Sequence, residues 1–234
     1  MTDRAPKYWA IVPAAGIGQR FSADVPKQFH QLNGALVAQH TLSRLLSLSI
    51  IDAIVAPCEV GSGYWSKVPA AADPRVRLVA GGKQRADSVM NGLLALQESA
   101  ADHDWVLVHD AARPNLTPAD LDRLLDSLAD DPVGGLLAVP VRDTLKRIGS
   151  DGRVAETVDR SVIWQAYTPQ MFRLGALREA LAQALEEGVA VTDEASAMEW
   201  AGQSPRLIEG RADNLKVTRP EDLHYLQRIW RESR

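Results

Sequence analysis

The feature that most constrains this chain is an alternation. Short apolar runs of strand character take turns with longer segments whose apolar residues recur at helical spacing. Residues 8–13, 52–56, 76–79, 105–109 and 136–141 read as strands. Residues 36–48, 88–96 and 121–128 carry the helical period between or after them. Apolar strands separated by helices are the pattern of a largely parallel sheet covered on both faces. The expected architecture is therefore α/β, a single Rossmann-like, mostly parallel sheet flanked by helices. Two helix starts support the frame. Thr117-Pro118-Ala119-Asp120 offers a capping hydroxyl, a proline at the first helical position and a carboxylate at the third. Thr218-Arg219-Pro220-Glu221-Asp222 opens a last helix in a similar way.

One stretch breaks the alternation. Between residues 142 and 168 no helix of a dozen residues can be drawn. Residues 144–148 and 153–158 instead flank Gly149-Ser150-Asp151-Gly152, whose glycines and aspartate suit a hairpin turn. This reads as a protruding two-stranded β-arm, an excursion from one domain spanning residues 1–234. A lone two-stranded arm is marginal in water, so a homodimer built through the arm is expected.

Composition narrows the class. A net charge of −4 gives no support to a nucleic-acid-binding surface, so positive charge for an anionic ligand must be concentrated locally. The longest apolar runs fall far short of a bilayer span, and the first seven residues contain no signal-like segment. No membrane association and a cytoplasmic location are expected. The lone cysteine, Cys58, excludes an internal disulfide and ends an apolar run, so it is expected to be packed and inert.

The local positive charge lies after the first strand. Pro13-Ala14-Ala15-Gly16-Ile17-Gly18-Gln19-Arg20 is a small-residue loop whose amides can approach phosphate oxygens, and Pro26-Lys27-Gln28 adds a second cation. Gly16 and Gly18 alone are weak evidence. The dinucleotide fingerprint requires a third glycine where this chain has Phe21, and the P-loop pattern lacks its Gly-Lys-Ser/Thr. A dehydrogenase is thereby disfavoured, whereas a triphosphate ligand suits glycines, arginine and lysine gathered at one strand end.

Further blocks follow in order: Gly81-Gly82-Lys83-Gln84-Arg85-Ala86-Asp87-Ser88-Val89, His109-Asp110-Ala111-Ala112-Arg113-Pro114, Arg142-Asp143-Thr144-Leu145-Lys146, Thr168-Pro169-Gln170, Thr192-Asp193-Glu194-Ala195-Ser196, and Lys216-Val217-Thr218-Arg219-Pro220-Glu221-Asp222. Together with the first loop they resemble nucleotidyltransferases that activate sugar phosphates, and more narrowly the 2-C-methyl-D-erythritol 4-phosphate cytidylyltransferases. The resemblance runs from the first strand to the last helix.

It implies attack of a phosphate monoester on the α-phosphorus of CTP, with pyrophosphate leaving and Mg²⁺ held mainly by the triphosphate. The nucleophile is already anionic, its second pKa being about 6, so no general base is required. Positioning and charge neutralisation must carry catalysis. By resemblance, Arg20, Lys27 and Lys216, the last in an apparently strand-like segment at 214–217, are the catalytic cations. Ala14, Ala15, Gly16, Gly18, Gly82 and Ser88 bind the nucleotide. Asp110, Arg113, Thr144, Arg160, Thr168 and Thr192 meet the small polyol phosphate, Arg160 serving the partner's site if the arm is exchanged. Asp110 and Asp213 are the candidate metal ligands. His109 is expected to be structural.

Two alternatives stay open at this point. A cytidylyltransferase for ribitol 5-phosphate or a similar polyol phosphate shares the glycine loop and the lysine after proline. A non-catalytic nucleotide-binding regulatory module is the other, against which the presence of all three cations argues. A fusion with a later cyclising enzyme is not expected, because the chain ends soon after its last helix.

Overall fold

A computed structural model describes residues 4–16, 21 and 25–232. In chain order the elements are β1 (Tyr8–Ile11), β2 (Gln31–Leu32), β3 (Ala35–Leu36), α1 (Val37–Leu46), β4 (Ile51–Cys58), β5 (Val76–Ala80), α2 (Arg85–Ala95), β6 (Trp105–Val108) and α3 (Pro118–Leu128). They continue with β7 (Gly134–Pro140), β8 (Leu145–Ile148), β9 (Val154–Val158), β10 (Trp164–Arg173), α4 (Leu174–Glu186), α5 (Glu194–Trp200), β11 (Arg206–Glu209) and α6 (Pro220–Glu232).

Seven strands form one sheet in the order β11-β7-β10-β6-β1-β4-β5. Among the described residues β10 alone runs against its neighbours, pairing antiparallel with β6 and β7. The mostly parallel α/β expectation is met. The inner strands β1, β4, β6 and β7 are buried on both faces, which is why they read as continuous apolar runs. Ala10 of β1 and Val12 just after it join one core with Leu42 and Leu45 of α1 and Leu121 and Leu124 of α3. Trp9 and Ile11 point the other way, into a core with Val89 and Leu93 of α2 and Leu177 and Leu181 of α4. The strand period of two thus sorts one short run between two helical layers. A third, smaller cluster seats α6 through Leu223 and Leu226 on Leu32, Val37 and Val217.

The expected helix starts are realised. The Thr117 side chain accepts from the Asp120 amide at 3.2 Å, and the amides of Thr218 and Arg219 both donate to Asp222 Oδ2 at 2.8 Å. Cys58 is buried, and burial pushes its thiol up to about 11, the state of an inert packed cysteine.

Two differences from the sequence expectation have physical causes. Residues 164–168 belong to β10 of the central sheet, while the separate antiparallel pair is β8 with β9. Pro169 and the polar residues around it hide that strand, and its pairing with β7 shifts register between Ala166 and Gln170. The strand-like segment 214–217 is extended but joins no sheet, since Val217 donates to a loop carbonyl, that of Ala112, at 2.8 Å. The edge strand β11, parallel to β7, and the helices α4 and α5 complete the sheet's flank.

Candidate active site

The parallel strands β1, β4, β5 and β6 end together, and the segments leaving them converge, as expected where ligands bind in open α/β sheets. Glycines permit the convergence. A Cβ on Gly81 would lie 2.3 Å from the Ala15 Cβ, and one on Gly82 would lie 2.2 Å from the Asp87 Cβ. Only a residue without a side chain lets the end of β5 approach the loop after β1 this closely. Local hydrogen bonds then fix the shape. Gln28, almost fully buried, donates from Nε2 to the Ala14 carbonyl at 2.8 Å. Ser88 Oγ accepts from the Gly82 amide at 3.0 Å and donates to the Gln84 carbonyl at 3.1 Å.

The result is a cavity of about 160 Å³. Ala14, Ala15, Gly16, Gly82 and Ser88 all line it, together with Lys27 and Lys216. The structure therefore brings together every expected nucleotide and catalytic residue it describes. Gly18 and Arg20 lie outside the described residues.

A second cavity of about 190 Å³ adjoins the first. Asp110, Arg113, Thr168 and Thr192 line it, and it shares Arg85, Asp110 and Lys216 with the first. The shared wall is an ion cluster. Asp110 is 6% exposed. Its Oδ1 accepts from Arg85 Nε at 3.1 Å, and its Oδ2 faces Lys216 Nζ at 2.8 Å and Arg113 Nε at 3.4 Å. Burial alone would raise its pKa, but Arg85, Lys216 and Arg113 outweigh burial and hold the carboxyl well below the usual range. Burial shifts Arg113 downward despite Asp110; its Nη1 donates to the Asn214 carbonyl at 2.8 Å, and its guanidinium stacks 4.5 Å over the Tyr167 ring.

Behind this wall a buried chain of hydrogen bonds sets the loop geometry. His109 Nε2 lies 3.0 Å from the Arg113 carbonyl, which only accepts, so that nitrogen carries the proton. His109 Nδ1 then accepts from the Thr168 hydroxyl at 2.9 Å, and Thr168 Oγ1 accepts from the Asp110 amide at 3.1 Å. Burial pushes His109 down to about 4, so it is a neutral scaffold.

Thr144 and Arg160 are not brought to either cavity. Both are exposed on the arm segment, where Arg160 Nη1 donates to the Arg142 carbonyl. The candidate metal ligands are also committed elsewhere. Both oxygens of Asp110 face cations, and Asp213 is clamped by Arg211. Among the described residues no three His, Cys, Asp or Glu side chains cluster as a metal site would require.

The residues that sequence reasoning assigned no role are Arg85, Gln28 and Glu194. All three stand inside motifs noticed for their neighbours, but their work is to bond other protein groups, and no spacing rule reports that.

The whole chain is similar to known proteins. The sequence model of the 2-C-methyl-D-erythritol 4-phosphate cytidylyltransferase family matches residues 8–232. A protein of that name from Pseudomonas entomophila (strain L48) is 60% identical over 231 residues, covering 98% of each chain. Another, from Ectopseudomonas mendocina (strain ymp), is 63% identical over 227 residues, covering 97% of each. The crystal structure of 2-C-methyl-D-erythritol 4-phosphate cytidylyltransferase from Francisella tularensis superposes with a TM-score of 0.82 at 33% identity, covering 96% of this chain and 99% of that one. With a family match across nearly all of its length, and relatives at 60% identity or more, this chain belongs to the 2-C-methyl-D-erythritol 4-phosphate cytidylyltransferase family.

Proposed function

We propose that the two adjoining cavities hold CTP and 2-C-methyl-D-erythritol 4-phosphate respectively, and that the cluster between them aligns the two for transfer. The enzyme is a cytidylyltransferase of isoprenoid precursor synthesis. The observation that carries the site assignment is the wall of Arg85, Asp110 and Lys216 common to both cavities. A reaction that joins two phosphates needs such a place, where cations reach both.

In the reaction a phosphate oxygen of the acceptor forms a bond to the α-phosphorus of CTP, and the bond from that phosphorus to the bridging oxygen of pyrophosphate breaks. The acceptor oxygen is anionic near neutral pH, and the buried His109 has no part in proton transfer. Lys27 at the nucleotide cavity and Lys216 at the shared wall stabilise charge on the reacting phosphoryl group, Arg20 joining them from the first loop. Asp110 fixes Lys216 at 2.8 Å, so this cation is already oriented when substrate enters. Gly82, Ser88 and the backbone of Ala14, Ala15, Gly16 and Gly18 hold the nucleotide. Asp110, Arg113, Thr168 and Thr192 hold the acceptor.

A divalent cation, Mg²⁺, supplies further neutralisation of the triphosphate when bound. The committed state of Asp110 and Asp213 supports an ion carried mainly by the triphosphate itself, which suits a metal that keeps most of its waters.

Thr144 and Arg160 belong to this reading through a second copy of the chain. The arm exposes Ile148 at 70%, Val154 at 63% and nearby Val162 at 74%, apolar side chains that a homodimer would cover. In such a dimer the partner's arm completes the acceptor cavity. Cytoplasmic residence is part of the same reading. Among the described residues no helix is long and apolar enough to cross a membrane.

Pyrophosphate release with CTP and Mg²⁺ tests the assignment, comparing 2-C-methyl-D-erythritol 4-phosphate with ribitol 5-phosphate. Release with the methylerythritol compound alone is expected. Release with ribitol phosphate alone would move the acceptor to another polyol phosphate, and silence with both would leave a nucleotide-binding module.

A further inference from the structure

Arg85 opens α2, the helix whose first turn carries Ser88 of the nucleotide cavity. Glu194 opens α5, the helix that follows Thr192 and Asp193 of the acceptor cavity. The two side chains meet as a bidentate pair, Nη1 to Oε1 at 2.6 Å and Nη2 to Oε2 at 3.0 Å. Glu194 is 2% exposed, so both oxygens of a buried carboxylate are spent on one guanidinium. The remaining guanidinium edge donates through Nε to Asp110 Oδ1. One planar fork thus touches the nucleotide-side helix, the acceptor-side helix and the carboxylate that holds Lys216. Lysine, a point charge, cannot make these three bonds at once.

The two cavities depend on this fork unequally. The nucleotide side has its own local bonds, Gly82 to Ser88, Ser88 to Gln84, Gln84 to Asp87 and Gln28 to Ala14, none of which involves Arg85. On the acceptor side α5 is anchored by Gln170, which bonds Asp193 and the Ala195 amide, and by the pair to Arg85. Loss of the pair leaves Gln170 and the packing of Ala195, Ala197 and Met198 beside α4 to hold the helix in place, but removes the tie that sets its distance from Asp110.

We propose that Arg85 and Glu194 form a positioning pair that sets the acceptor cavity relative to the nucleotide cavity, through α5 on one side and Asp110 with Lys216 on the other. The proposal rests on the assignment of the two cavities given above. It makes Arg85 a positioning residue whose substitution acts on one substrate more than the other.

Steady-state kinetics for both substrates, with CTP affinity measured separately by calorimetry, test it on Arg85→Lys, Glu194→Gln and the double variant. Because Arg85→Lys keeps a cation at the shared wall and Glu194 does not line the nucleotide cavity, CTP affinity is expected to stay within about twofold of wild type, while the KM for 2-C-methyl-D-erythritol 4-phosphate rises by about tenfold or kcat falls by as much. The double variant is expected to be no worse than the worse single one, because each substitution breaks the same tie. Additive losses would overturn the pairing. CTP affinity and acceptor KM moving by one common factor would show a merely structural role, and an unmoved acceptor KM and kcat would remove the role altogether. Should Glu194→Gln fail to fold, Arg85→Lys decides alone by the same split between substrates. An inactive wild type would sink the cavity assignment and this pair with it, whereas an active wild type with insensitive variants sinks the pair only.

Discussion

At the scale of single residues, the site separates groups that do chemistry from groups that hold them. Lys27 lines the nucleotide cavity and is assigned an electrostatic task there. Lys27→Ala is expected to lower turnover by roughly 10²–10³, the usual cost of about 2.7–4 kcal/mol for removing one stabilising group from a developing charge. Its melting temperature should change little, because Lys27 is no part of the buried core clusters. Turnover near the wild-type value would remove Lys27 from the mechanism. Lys27 drew notice as a cation close behind the glycine loop, whereas the roles expected of Lys216 and Asp110 came from the family resemblance of the motifs that hold them. Arg85 stood in such a motif and went unassigned, because its importance lies in Glu194, 109 positions away.

At the scale of elements, the arm is the piece whose role a single chain leaves incomplete. β8 and β9 pair with each other and with no strand of the main sheet. Their apolar side chains Ile148 and Val154 sit side by side in the ladder and face water. Replacing both with serine is expected to shift the protein from dimer to monomer in light scattering. Acceptor-dependent turnover should fall with it, since Thr144 and Arg160 stand away from the cavities of their own chain. CTP binding should persist, because Ala14, Ala15, Gly16 and α2 lie away from the arm, at the ends of the central strands. A dimer that survives the double substitution, or a monomer with full turnover, would defeat the arm's assigned role. The hairpin itself was readable from glycine and aspartate at its turn. β10 was not, because its ladder partners β6 and β7, rather than its own polar sequence, make it a strand.

At the scale of the whole molecule, acid should loosen the fold through His109. Burial holds the folded ring at about 4 against an ordinary value of 6.5, so the unfolded chain binds the proton more readily. Stability is then full above pH 6.5 and declines as pH falls from 6.5 towards 4, by roughly 3 kcal/mol for this group. Urea unfolding across that window should show the decline, and a His109→Gln variant should be less stable at pH 7 but flatter between pH 6.5 and 4. Equal slopes in the two proteins would remove His109 as the titrating group.

The sequence by itself determined the layers and marked residues that line the first cavity, the proposed nucleotide end of the site. Burial on both faces demands apolar runs of strand length, helices demand their own period, and a loop that approaches phosphate demands glycine and nearby cations, all of which are local requirements written in neighbouring letters. Tertiary structure decided what depends on partners far apart in the chain. It placed β10 between β6 and β7, left residues 214–217 outside the sheet, and gathered Arg85, Asp110, Arg113, Glu194 and Lys216 into one cluster. Three-dimensional packing also made Asp110 the counter-ion of three cations, Arg85, Arg113 and Lys216. A buried carboxylate is stable only where opposite charges converge on it, and that convergence comes from the fold rather than from sequence spacing.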